Sequence, residues 1–242
     1  MRYGRLALVY DSSESALGAA ALRLAQHGLA PLYARNEDEL TLLARERRDR
    51  IATLVVPGSL SLSALDALLA RAARALPNGH ASVVVVAPPR ERLHLQALRE
   101  RGIRWAVFAP YEANELRFAV AAALASGDAL EPRRGLRVPI RLPVSVRHAR
   151  ATRSGEITNL SVAGAYVALP HPPEPGAALS LEFPIGERLL SVQASVAHRR
   201  ELPRPWQSES RPGMGVGFSG LSPLEAHLVE GFVRERVDAF RL

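Results

Sequence analysis

Leu190-Ser191-Val192-Gln193-Ala194-Ser195-Val196 alternates apolar and polar residues without a break. Side chains of a strand point to opposite faces in turn, so this stretch reads as a half-buried strand with one wet face. The same period of two extends upstream through Leu179, Leu181 and Phe183, through Ile157, Tyr166 and Val167, and through Ile140, Leu142, Val144 and Val146. Turn residues part these segments: Arg153-Ser154-Gly155, the Pro/Gly-rich stretch 170–176, and Pro184 to Gly186. Downstream, Gly213-Met214-Gly215-Val216-Gly217-Phe218 is a glycine-rich strand. An amphipathic helix over 222–237 follows, with Ser222 as its cap and Glu225 completing a capping box. About six strands and a closing helix in such a short span predict a small six-stranded antiparallel β-barrel.

The first half has another rhythm. Ser82-Val83-Val84-Val85-Val86-Ala87 is apolar nearly throughout, as a strand covered on both faces must be. Similar short runs at 6–10, 30–34, 51–56 and 105–109 alternate with helical stretches. The helices begin near 12–15 and run to 27, then span 37–48, 62–76, 90–101 and 112–126. Five such β-α units predict a doubly wound parallel (βα)5 sheet with helices on both faces. Gly, Asp and Pro cluster at 126–132, which sets the expected domains at 1–127 and 128–242.

Composition narrows the chemistry. The chain has no cysteine, which removes disulfides, thiolate metal sites and thiol nucleophiles together. Its basic residues are 31 arginines and no lysine, so a Walker-type phosphate loop and Schiff-base chemistry are excluded. The net charge of +7 is spread through every helix without a basic stripe or helix-turn-helix, so nucleic acid is not the expected partner. The seven histidines hold no i, i+4 pair, and neither a metal nor a cofactor is expected. No nucleophile–base pair stands at a strand end, which argues against an enzyme. No run approaches the roughly 18 apolar residues of a membrane span. The opening residues read as a first strand and not as a signal peptide, giving a cytoplasmic expectation.

Two short motifs remain. Arg133-Arg134-Gly135-Leu136-Arg137 is an R-x-x-x-R just ahead of the first barrel strand. Alone it is weak, because this arginine content yields about four chance matches. Asn159-Leu160-Ser161-Val162-Ala163-Gly164 matches [D/N]-x-S-x-x-G, for which only about 0.05 chance occurrences are expected. The order of the two motifs, followed by Gly213–Phe218, resembles the PilZ family over roughly residues 130–240.

That resemblance implies a receptor for cyclic di-GMP in bacterial second-messenger signalling. Arg133 and Arg137 would contact phosphate and guanine, Arg134 would assist, and Asn159, Ser161 and Gly164 would form the opposing wall. The chemistry suits the ligand. Guanine N7 and O6 accept the bidentate fork of an arginine, the same fork pairs with phosphate, and its flat face stacks on a purine. Asn159 offers an amide to another edge of the base. The alternative is a ligand-independent adaptor that binds an unidentified signalling or motility protein.

The first half resembles a response-regulator receiver domain, through Tyr10-Asp11-Ser12 after strand one and Ala109-Pro110-Tyr111 after strand five. A working receiver needs an acid pair for Mg²⁺, an aspartate acceptor, a Ser/Thr and a lysine. Here Asp11 stands alone beside Tyr10, and strand three ends Val55-Val56-Pro57-Gly58 with no acid between Asp49 and Asp66. Ala87 and Ala109 occupy the Ser/Thr and lysine positions. The resemblance therefore implies a pseudo-receiver that serves for docking or for a homodimer, with Asp11 as a helix N-terminal residue.

Overall fold

The computed structural model describes residues 6–12, 17–26, 31–47, 50–76, 81–87, 94–125, 137–201 and 211–242. The chain splits into two compact units, Met1–Leu130 together with Ala239–Leu242, and Glu131–Asp238. The linker expected at 126–132 lies outside the described residues.

In the first unit, strands and helices alternate as β1 Leu6–Tyr10, α1 Gly18–Gln26, β2 Leu32–Ala34, α2 Glu37–Glu46, β3 Ile51–Pro57, α3 Leu62–Ala75, β4 Ser82–Ala87, α4 Leu95–Glu100, β5 Trp105–Phe108 and α5 Ala113–Ala125. The strands are parallel in the order β2-β1-β3-β4-β5. Val84 and Val85 of β4, Val55 and Val56 of β3 and Val9 of β1 are fully buried, as strands covered on both faces should be. Helix α5 is apolar on most sides and buries Leu116, Phe118, Ala119, Val120, Ala122 and Ala123. Helix starts follow from capping chemistry. Asn36 Oδ1 accepts the Glu39 N–H at 2.9 Å, and Ser61 Oγ accepts the Ala64 N–H at 3.2 Å.

The segment 239–242 pairs with β5. Ala106 N–H donates to the Phe240 carbonyl at 3.0 Å and Leu242 N–H to the Arg104 carbonyl at 3.1 Å, which gives an antiparallel bridge between Trp105 and Arg241. Phe240 is buried, with its ring 5.0 Å from that of Phe118. The Arg241 guanidinium lies over the Trp105 ring at 5.7 Å.

The second unit is a closed six-strand antiparallel barrel in the order β10-β11-β8-β7-β6-β9. Its strands are β6 Val138–His148, β7 Ala151–Ser161, β8 Gly164–Ala168, β9 Ala178–Ile185, β10 Arg188–Arg200 and β11 Gly213–Ser219, followed by helix α6 Pro223–Asp238. The period-two residues fill it: Val146, Ile157, Leu160, Val167, Leu181, Phe183, Val192, Val196, Met214 and Val216 are all buried. Val229, Val233 and Val237, four residues apart, form the buried stripe of α6, which packs on β6, β7 and β9.

One turn differs from expectation. Residues 153–155 do not turn; they lie inside β7, and the β6–β7 hairpin closes at Ala149-Arg150, with Ala149 in the left-handed region at φ 53°. Gly155 has another duty. A Cβ there would come within 2.9 Å of the Ala168 carbonyl oxygen of β8, so the glycine marks a close strand approach.

The capping box at α6 forms as the sequence expects. Ser222 N–H donates to Glu225 Oε2 at 2.8 Å, and Glu225 N–H donates back to Ser222 Oγ at 3.3 Å. The Ser222 backbone N–H and hydroxyl hold the Glu225 carboxyl below its ordinary range. A folded-state value lowered in this way stabilises above the ordinary glutamate range and is lost as pH falls through the lowered value. Ser222→Ala is therefore expected to lower the melting temperature at neutral pH. The gap to wild type should shrink in melts taken below the carboxylate range, and an equal gap at both pH values would contradict this account.

Candidate functional site

The motif Asn159–Gly164 is a two-residue hairpin. β7 ends at Ser161, Val162 and Ala163 turn, and β8 begins at Gly164, which pairs with Ser161. Ser161 is buried, and its hydroxyl donates to the Gly164 carbonyl at 3.0 Å across the turn. Gly164 is buried too. A Cβ placed there would overlap the Val216 carbonyl oxygen of β11. Ser161 thus closes the turn and Gly164 lets β8 approach β11, whatever else they touch.

Asn159 differs. It is half-buried, and Nδ2 makes a long 3.5 Å contact with Thr158 Oγ1. It pairs with Pro139 on β6 and with Tyr166 on β8. Val138 and Leu160, paired one step away, are fully buried in the barrel, so alternation turns Asn159 to the outer face. Arg137 is exposed and stands one residue before Val138, at the Ser161 end of β7. The register therefore brings Arg137, Asn159 and the Ser161–Gly164 turn to one end of the β6–β7–β8 surface. Arg133 and Arg134 lie outside the described residues.

Arginines surround this face. Arg236 of α6 donates through Nε–H to the Pro139 carbonyl at 3.2 Å, opposite Asn159. Arg211 donates to Glu156 Oε1 at 3.2 Å. Planar guanidinium groups suit phosphate oxygens and base edges alike, although Arg211 is here paired with Glu156.

The outer row carries residues that the motifs do not announce. Pro139, Asn159, Tyr166, Gly215 and His198 are successive register partners across β6, β7, β8, β11 and β10. Tyr166 donates its hydroxyl to the Arg211 carbonyl at 3.1 Å, and its ring lies 6.4 Å from that of His198. In sequence His198 is one of seven scattered histidines. Only strand pairing ties it to Asn159.

The first unit offers different chemistry at the strand ends. Asp11 is fully buried, and its Oδ2 accepts the Leu17 N–H at 3.0 Å and the Tyr33 hydroxyl at 3.3 Å. Its carboxylate organises the approach to α1. At the end of β3, a Cβ on Gly58 would lie 2.6 Å from that of Ala87, so backbone and methyl fill this corner. Among the described residues no group of three or more His, Asp or Glu side chains is placed to hold a metal ion. No helix among them is long and apolar enough to cross a membrane.

Comparison with solved structures finds PilZ proteins and response-regulator receiver domains. The chain is similar to the Bacillus subtilis inhibitor of motility MotI/DgrA at 19% identity and TM-score 0.36, covering 42% of this chain and 50% of that one. It thus spans about half the length of that protein. It is similar to the PilZ domain, with c-di-GMP, of YcgR from Escherichia coli at 16% identity and TM-score 0.34, over 45% of this chain and 95% of that one. It is also similar to a response-regulator receiver domain protein from Clostridium thermocellum at 18% identity and TM-score 0.42, over 50% and 94%. None of the curated proteins matches the chain. The PilZ domain model matches residues 131–235, which takes in the whole barrel and most of α6. Residues 131–235 of this chain are a PilZ domain.

Proposed function

We propose that this chain is a cytoplasmic receptor for cyclic di-GMP and not an enzyme. Its ligand is held between the arginines 133, 134 and 137 and the wall made by Asn159, Ser161 and Gly164. The supporting observation is the PilZ domain match at 131–235, with Arg137 and the Asn159–Gly164 hairpin brought to one end of the same outer surface by the β6–β7 register. Arg137 supplies the fork for a phosphate or for guanine N7 and O6, and the half-buried Asn159 amide meets another edge of the base. In this reading residues 128–242 receive the signal. Residues 1–127 act as a non-phosphorylatable pseudo-receiver, whose one retained acid, Asp11, is engaged by Leu17 and Tyr33. It serves to dock a signalling or motility protein or a second copy of the chain.

A second reading, a ligand-independent adaptor, draws on one observation. Ser161 and Gly164 are already employed by the barrel itself, so the motif could persist for architecture alone. Calorimetric titration decides between the two. Wild type is expected to bind cyclic di-GMP in the micromolar range or tighter. Arg137→Ala and Asn159→Ala should each weaken binding by about tenfold or more, the cost of a hydrogen bond to a charged or buried partner. An absence of binding at micromolar ligand favours the adaptor.

A further inference from the structure

We propose that Tyr166 and His198 together form a platform on which a purine of the bound dinucleotide stacks. This rests on the receptor reading above and extends its site by two strands.

The geometry starts from the register row. Tyr166 on β8 and His198 on β10 are separated by β11, and both pair with the same residue, Gly215. Side chains two strands apart begin about 9–10 Å apart at the backbone. The Tyr166 and His198 rings nevertheless stand only 6.4 Å apart, at 35° to one another. The His198 imidazole leans over Gly215, while the Tyr166 ring lies toward Gly213, with its hydroxyl on the Arg211 carbonyl. A Cβ at Gly215 would overlap the imidazole, so the ring occupies the space a side chain would have taken. The result is a π-rich surface of two rings, a phenol and an imidazole inclined at 35°, set over the bare backbone of β11.

Its position ties it to the ligand. Tyr166 is the direct partner of Asn159, so the platform continues the row from the base-reading amide without interruption. Cations flank it. Arg200 pairs with Gly213, two residues from Gly215 along β11, and Arg137 stands toward the Asn159 side. Burial raises the Tyr166 hydroxyl above its ordinary value, and the Arg200 charge offsets only part of that. The outer face of a barrel strand is ordinarily polar and solvated. Here His198 is exposed and Tyr166 only half-buried, so two aromatic side chains reach solvent beside the arginines. A purine dinucleotide has the two features this surface matches, flat bases and anionic linkages.

The test compares variants that keep bulk with variants that keep a flat face. Cyclic di-GMP is titrated calorimetrically into the full chain carrying His198→Leu, His198→Phe, Tyr166→Leu or Tyr166→Phe, with circular dichroism checking the barrel in each. The leucine variants should bind about 5- to 100-fold more weakly, the range for loss of one base–aromatic stack, while the phenylalanine variants stay within about threefold of wild type. Leucine variants that bind like wild type, in a protein where Arg137→Ala still weakens binding by about tenfold or more, overturn the platform and leave the receptor standing. Equal losses in the leucine and phenylalanine variants overturn it as well, because the flat face would then not be what matters. If wild type does not bind cyclic di-GMP, the receptor reading falls and the platform falls with it.

Discussion

Gly164→Ala is expected to destabilise the barrel itself by about 3 kcal/mol or more, at or above the top of the range for overpacked cores. The new methyl would overlap the Val216 carbonyl oxygen, and a backbone atom within a ladder cannot swing aside as a side-chain tip can. Relief requires β8 and β11 to part where Gly164 pairs with Gly217 and Val216 with Ala165. Ser161 loses as well, because its hydroxyl bonds the Gly164 carbonyl. Denaturant unfolding followed by circular dichroism measures the effect, and a midpoint equal to that of wild type would show that the strands have slack. The result bears on how binding experiments are read. A Gly164 variant that fails to bind cyclic di-GMP has lost its barrel, so the contact is better tested at Arg137 and Asn159.

Phe240→Ala is the second large effect, expected to cost the first unit roughly 3 kcal/mol. Phe240 is buried, its ring meets Phe118 at 5.0 Å, and Phe118 in turn meets Trp105 edge-on at 6.4 Å. The same residue carries the carbonyl that accepts the Ala106 N–H. Loss of the ring therefore weakens an edge pairing along with an aromatic contact. Hydrogen exchange at the Ala106 amide reports on it directly. If the bridge opens with the ring's loss, exchange should quicken by about 100-fold, the equivalent of that energy. Unchanged exchange would mean that the bridge holds without Phe240.

Local signals carried much of the architecture. β4 at Ser82–Ala87 spans the valine run, and α2 and α3 begin behind Asn36 and Ser61, residues whose side chains cap them. The period of two in Leu190–Val196 places Leu190, Val192, Ala194 and Val196 in the barrel interior. What escaped was non-local. Arg153-Ser154-Gly155 has turn chemistry in isolation, yet Gly155 serves the approach of β8, and the hairpin closes on Ala149 and Arg150. The partnership of Asn159, Tyr166 and His198 was hidden for a sharper reason. The ladder shifts register between Ile157 and Asn159 and again between Val196 and His198. A bulge breaks the alternation on which inward and outward assignments depend, so the sequence cannot be phased across it. Both bulges fall at the candidate site, which made the motif readable and its neighbours silent.

The pairing of residues 239–242 with β5 also has a consequence for synthesis. Translation delivers the five strands of the first sheet early and residues 239–242 only after the whole barrel has been made. While the barrel is being translated, the β5 edge, with the Ala106 N–H and the Arg104 carbonyl, lacks the partner it has in the finished fold. An open strand edge beside Trp105 and Phe118 invites pairing with other chains. The nascent protein is thus most vulnerable to association during the interval set by the barrel's own length.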